Sequence, residues 1–238
     1  MEAVFSRISE LADQYDEQPF FRLLESAAGP AQVEALVPAL AFFVFAFQDM
    51  LRLNEEQMVD PALKAIARKH RAEDAGHQNW FLHDARCLGV EPDVEWTFGQ
   101  QQRPTRDTSY QLISEVFRAS DDRVRVVIPM VLEAAGHPFF RRVFRFFENA
   151  GVQAELKYFA LSHWQVEEGH EMLQDAQSAY LRELQLPAEL RAECLQMVER
   201  MFAAMATMVS DLNARMRAPK PEHRGRRKAP LHVDAALE

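Results

Sequence analysis

Apolar side chains recur at the helical period along most of the chain. Long stretches rich in Ala, Leu, Glu, Arg and Gln place apolar residues three, four and seven positions apart, and few stretches alternate apolar with polar residues. The pattern predicts an all-α protein, folded as a single bundle of about seven or eight helices. The absence of an internal repeat argues against a solenoid.

Prolines, glycines and capping residues predict where the helices begin and end. Asp60 and Pro61 have the features of an N-cap and a first turn, and Pro38 can kink the helix that contains it. Gly89 is expected to end the helix that starts at Pro61, and an irregular connection is expected at 89–107. The predicted helices span about 2–15, 18–28, 31–58, 61–88, 108–119, 122–136, 139–151, 153–183 and 188–217.

These helices are assigned to one domain, 1–217, followed by a basic tail at 218–238 that is expected to be flexible. The net charge of -9 argues against nucleic acid as a partner. The apolar run at 35–47 is short for a membrane span and is typical of a buried core helix. Two cysteines without a CxxC motif, and no signal peptide, favour a cytoplasmic protein with no membrane partner. The oligomeric state is left open, with a homodimer as one option.

The predicted helix at 153–183 carries polar residues on a face that begins as apolar. Relative to His163, Glu167 lies about 40° and His170 about 20° away around the helix axis, whereas Glu168 lies about 140° away and should face outward. Burying an ionised carboxylate is costly unless it is paired or binds a cation. The face therefore predicts metal ligands, and a solvent-exposed polar stripe is the structural alternative.

The predicted helix at 61–88 shows the same feature. Its inward face is traced through Leu63, Ile66, Ala67, His70, Asp74, His77, Phe81 and Leu88. Glu73 is close enough in angle to compete with Asp74, and periodicity does not choose between them. His70 lies one turn before the pair formed by Asp74 and His77, where it could support the ligands or complete the set.

Glu133 ends the nearly all-apolar run "VRVVIPMVLEAAGH" (124–137), in a helix that is hydrophobic on every side and is therefore expected to be buried. A lone carboxylate there is a candidate metal ligand. The structural alternative is an ion pair with an arginine, for which the candidates are Arg118, Arg123 and Arg141.

Together, three predicted helices offer three carboxylates and three imidazoles as candidate metal ligands: Asp74, His77, Glu133, His163, Glu167 and His170. A mixed nitrogen and oxygen ligand set within a helical bundle suits a pair of iron or manganese ions better than a structural zinc, which favours Cys and His.

The order of these motifs resembles the heme-oxygenase-like diiron oxidases and oxygenases, over about residues 30–215. The resemblance rests on "DAGH" (74–77) followed by "QNWFLHDARCLGV", on the isolated Glu of "MVLEAAG", and on "HWQVEEGH" (163–170). That superfamily includes a fatty-acid decarboxylase that forms terminal alkenes and a p-aminobenzoate synthase, and it shares its bundle with the TenA/PqqC-like enzymes. Members of the superfamily often have Glu at the position of Asp74 and commonly have Asp at the position of Glu167.

The resemblance implies a heme-oxygenase-like bundle in which the six residues bind two Fe2+ ions, with manganese as an alternative metal. It implies an oxidoreductase that uses O2 as co-substrate to oxidise a small organic molecule by hydrogen abstraction, N-oxygenation or C–C cleavage. An amino-acid-derived or an apolar carboxylic acid substrate is expected, with Arg118, Arg123 or Arg142 as anchors for a carboxylate. Two alternatives remain, a metal-independent TenA/PqqC-like enzyme and a non-catalytic metal-binding helical protein.

Overall fold

The computed structural model describes residues 1–26, 29–90, 93–152, 155–169 and 176–218, and every regular element within them is helical. The predicted all-α class is therefore confirmed. Nine of the helices in these ranges have eight residues or more, close to the predicted number. The helices are α1 Glu2–Asp16, α2 Pro19–Leu24, α3 Pro30–Gln57, α4 Pro61–Glu73, α5 His77–Cys87, α6 Val94–Phe98, α7 Arg103–Arg118, α8 Asp122–Arg125, α9 Val127–Asn149, α10 Leu161–Gly169, α11 Ala176–Glu183 and α12 Ala188–Arg217.

The two longest helices organise the bundle. Helix α12 packs against α1, α2, α3, α7, α8 and α9, and helix α3 packs against α4 to α7 as well. A continuous core of Phe, Leu, Val and Met side chains lies between them, including the fully buried Leu36, Phe146 and Val198. Burial of this apolar surface is the main favourable contribution to folding.

Helix α3 is also long and apolar enough, over 31–57, to satisfy the length and composition of a membrane span, and it alone does so among the described residues. More than half of its most apolar window is buried against the rest of the protein. A core helix of a helical bundle has these same properties.

The start of α4 matches its prediction in detail. The Asp60 side chain accepts hydrogen bonds from the backbone N–H groups of Ala62 and Leu63, each at 2.9 Å, and Pro61 is the first helical residue. The Asp122 carboxylate accepts two further N–H groups, from Val59 and Asp60, at 2.7 Å each. The link between α3 and α4 is therefore fixed to α8 by side-chain hydrogen bonds.

Several predicted boundaries are wrong. The irregular connection expected at 89–107 contains α6, and α7 begins within it at Arg103. The helix predicted over 61–88 is broken between α4 and α5, where Gly76 has a φ of 97°. The break predicted at Pro138 does not occur, because α9 runs through this proline from Val127 to Asn149. The helix predicted to begin at 153 begins at Leu161, and residues 155–160 are not helical.

Gly76 and Gly136 form a matched pair for testing the break. Replacing Gly76 by Ala should lower the free energy of unfolding by about 1–2 kcal/mol, because an L-residue is strained at this positive φ. A Cβ at Gly76 would meet no atom within 4 Å, so the cost comes from the backbone alone. Replacing Gly136, inside α9, by Ala should instead raise the free energy of unfolding by about 0.5–1 kcal/mol. Urea unfolding of both variants is the measurement, and an equal effect of the two substitutions would contradict the assignment.

Candidate metal centre

The break after α4 places Asp74 between two histidines. Asp74 is the C-cap of α4, and its backbone carbonyl accepts a hydrogen bond from the Gln48 side chain at 3.0 Å. One carboxylate oxygen of Asp74 lies 3.3 Å from His70 Nε2, and the other lies 3.2 Å from His77 Nδ1. All three side chains are buried. Asp74, rather than Glu73, is therefore the carboxylate that faces this cluster, since Glu73 lies near Lys69, with 3.5 Å between carboxylate and ammonium.

Glu133 reaches the same cluster from α9. Its carboxylate lies 2.5 Å from His70 Nε2, and ligand atoms of His70, Asp74 and Glu133 all fall within 4.8 Å of one another. The arginines considered as partners of Glu133 pair with other acidic groups, which the salt bridges Arg118–Glu115, Arg123–Asp121 and Arg141–Asp16 show. Glu133 contacts His70 rather than one of these arginines, so it belongs to the candidate site.

The environment of His70 favours a positive charge at this point. Burial by itself lowers the pKa of His70, but the hydrogen bond to Glu133 and the charges of Asp74, Glu133 and Glu73 outweigh burial and raise the pKa above its ordinary value. His70 Nδ1 is buried and has no hydrogen-bond partner among the described residues. Two carboxylates thus converge on one imidazole, an arrangement that attracts a cation.

His77 and His163 stand next to each other beside this cluster. Their ring centroids are 4.4 Å apart, and both side chains are buried. His163 Nδ1 donates a hydrogen bond to the backbone carbonyl of Tyr158 at 2.7 Å. This bond fixes the tautomer in which Nε2 is the basic nitrogen, and it is the usual support of an imidazole that binds a metal.

The peptide group whose carbonyl supports His163 is held through its N–H by Asp84. This carboxylate, fully buried on α5, accepts hydrogen bonds from the backbone N–H groups of Lys157 and Phe159 at 2.8 and 2.9 Å. Burial raises the pKa of Asp84, and the backbone hydrogen bonds partly oppose that rise. Asp84 therefore connects α5 to the non-helical segment 155–160, which precedes the helix that carries His163.

An apolar cavity of about 90 Å³ lies against the cluster. Asp74, His77 and Glu133 form part of its wall, and most of the remainder is Phe, Leu, Val and Met from α2, α3, α9 and α12. Neither Lys nor Arg is present among the described residues of this wall. Arg142, one of the arginines considered as a substrate anchor, instead pairs with Asp16 and Glu25. A molecule in this cavity would contact hydrocarbon on most sides, and on one side the carboxylates of Asp74 and Glu133 and the imidazole of His77.

Four of the six predicted ligands are thus placed, and two are not described. A chain of contacts links these four residues. His70 contacts both Glu133 and Asp74, Asp74 contacts His77, and the His77 ring lies beside the His163 ring. Glu167 lies in α10, but its side chain is outside what the structure describes, and His170 lies outside the described residues. The basic tail predicted at 218–238 also falls almost entirely outside them.

The two cysteines lie away from this cavity wall. Cys87 is exposed, with its sulfur 3.6 Å from His83 Nε2, and Cys194 is buried on α12. Burial raises the pKa of the Cys194 thiol to about 12, which disfavours the thiolate form that a nucleophile needs. Neither thiol therefore supports cysteine chemistry in the cavity.

Comparison of the chain with models of known protein families and with curated proteins finds no match.

Proposed function

We propose that this protein is a non-heme diiron oxidoreductase that uses O2 to oxidise a small organic substrate. The observation that carries the proposal is the convergence of Asp74 and Glu133 with the imidazoles of His70, His77 and His163. Three of these residues, Asp74, His77 and Glu133, line an apolar cavity. Mixed carboxylate and imidazole donors are the ligands that iron and manganese take in helical bundles.

The donors that are described fit such a metal centre. Two carboxylates with one imidazole between them leave an excess of negative charge that bound cations would neutralise. His163 already has the orientation of a ligand, because its Nδ1–H is bonded to a backbone carbonyl. Asp74, His77, Glu133 and His163 would hold the metal ions, together with Glu167 and His170, while His70 would either bind or support the two carboxylates.

Bound Fe2+ would supply the ability to reduce O2 and oxidise a nearby C–H or N–H group. The chain's own contribution is to orient the ligands and to exclude water. Phe43, Phe139 and Phe140 on the cavity wall present hydrocarbon beside the cluster, so a bound molecule would be held close to it in a poorly solvated space. An apolar substrate fits this wall better than one bearing a cation or several charges.

Anaerobic loading with Fe2+, followed by rapid mixing with O2, tests the function. We expect about two irons per chain, consumption of O2 and a transient visible absorption, all strongly reduced in His163→Ala because this imidazole would be an iron ligand. Phe117→Ala is the control, since Phe117 is exposed on α7 and lies outside the cavity wall. Wild-type protein that binds no iron above background would refute the proposal.

The same experiment separates the two alternatives. A metal-independent enzyme of the same bundle would take up no iron and consume no O2. A non-catalytic metal-binding protein would take up iron without a transient signal or sustained O2 consumption in the presence of a substrate.

A further inference from the structure

The cavity beside the cluster is small. Its volume of about 90 Å³ corresponds to about three water molecules at about 30 Å³ each. Apolar protein cavities of about 150 Å³ bind benzene or xenon. This cavity is therefore too small for a benzene ring, whereas a xenon atom or a diatomic gas has a size that it accommodates.

Most of the wall of this cavity is buried hydrocarbon. Aliphatic side chains from α3, α9 and α12 contribute to it, namely Leu40, Val44, Leu132, Val209 and Leu212. The described wall residues with polar side chains are Tyr15, Gln48, Asp74, His77, Glu133 and Tyr158. A water molecule needs two to four polar partners to be held in a cavity, and the aliphatic part of this wall offers none. A nonpolar gas needs no such partner and gains dispersion contacts with the surrounding carbon atoms.

The cavity is not the only space that reaches the cluster. Glu133 also borders a larger cleft of about 830 Å³, which is lined mostly by α1 and α9 and includes charged side chains such as Asp13 and Arg141. An organic substrate therefore has an approach to Glu133 through this cleft, from which it would place no more than a small apolar group in the cavity.

We propose that the apolar cavity is a binding site for dioxygen, held there as a nonpolar gas beside Asp74, His77 and Glu133. This inference rests on the proposed function for the identity of the gas. Transfer of a nonpolar molecule from water to apolar surroundings is favourable, so the cavity raises the concentration of O2 next to the metal ligands. No bond between O2 and the protein forms at this site.

Xenon is the probe that tests the site, because it is a nonpolar atom that occupies apolar protein cavities. Full-length, metal-free protein with isotope-labelled methyl groups is titrated with xenon and followed by NMR, with helium at the same pressures as the control. The methyl signals of Val44, Leu132 and Val209 should shift and saturate. Those of Val116 and Val198, which are fully buried away from the wall, should not shift.

Val209→Phe tests the same site by filling it. The variant should weaken xenon binding at least about tenfold, because the added ring occupies volume that xenon needs. After anaerobic loading it should keep the iron content of the wild type but react several-fold more slowly with O2. Val59→Phe, the same change at an exposed position outside the wall, should alter neither property. The xenon titration of the wild type tests the site even if Val209→Phe does not fold.

Unshifted methyl signals on the wall, or equal shifts at Val116 and Val198, would overturn the inference. An unchanged rate of O2 reaction in a Val209→Phe protein that no longer binds xenon would also overturn it. Because the xenon titration uses metal-free protein, it is independent of iron. Xenon binding at the wall of a protein that takes up no iron would refute the diiron function and leave the gas site standing. Iron uptake and O2 consumption without xenon binding would refute the gas site alone.

Discussion

Replacing Glu133 by Gln should reduce the iron content from about two ions per chain to less than one and weaken the remaining binding at least about 100-fold. The substitution keeps the size of the side chain and a hydrogen-bonding atom near His70, 2.5 Å from the carboxylate in the wild type. It removes the negative charge that a metal ion requires. Iron analysis after anaerobic loading, with thermal melting of the metal-free protein, is the measurement.

Glu73→Gln is the control for this variant. Glu73 neighbours Asp74 in sequence and acts on His70 through its charge, but its carboxylate lies 3.5 Å from the Lys69 ammonium. Its substitution should therefore leave the iron content at about two ions per chain. Loss of iron in both variants would mean that overall charge, rather than coordination, governs uptake. Full iron content in Glu133→Gln would remove Glu133 from the proposed ligand set.

Replacing Asp84 by Ala should lower the free energy of unfolding by about 2–4 kcal/mol, because two backbone N–H groups, that of Phe159 buried and that of Lys157 partly buried, lose their acceptor. The same change frees the segment whose carbonyl, at Tyr158, supports His163. Iron affinity should therefore fall about 10- to 100-fold, the usual effect of losing a residue that orients a metal ligand. Urea unfolding and iron titration together provide the measurement.

Leu112→Ala separates these two effects of Asp84. Leu112 is fully buried on α7 and is not part of the cavity wall, and its truncation should cost about 2–5 kcal/mol. If lost stability alone weakened iron binding, Leu112→Ala and Asp84→Ala would weaken it equally. We expect Leu112→Ala to keep the wild-type affinity, and Asp84→Asn, which retains one acceptor oxygen, to fall between wild type and Asp84→Ala.

The helices that could be predicted are those whose ends are set by local chemistry. Asp60 and Pro61 fix the start of α4 through bonds within a single turn, so the sequence suffices to find it. The break at Gly76 was missed because the apolar spacing continues across it from Ile66 to Phe81. At Pro138 the error is the opposite: local chemistry predicts the end of a helix, but tertiary packing keeps α9 continuous through this proline.

In the site, spacing identified residues that share a helix face but not the contacts between elements. Periodicity places Asp74 and His77 on one face, yet the choice of Asp74 over Glu73 needs the contacts of His70 with Asp74 and with Glu133 of α9. Asp84 was not recognised, because its partners are backbone groups more than 70 residues away.

The left-handed glycine between α4 and α5 links metal binding to the angle between these helices. His70 and Asp74 lie before Gly76, and His77 follows it, so ions held by all three would span the joint. Occupancy would then restrict rotation about a single residue rather than along a whole helix. Amide hydrogen exchange at residues 74–77 should consequently slow on metal binding more than exchange in the middle of α4 or α5.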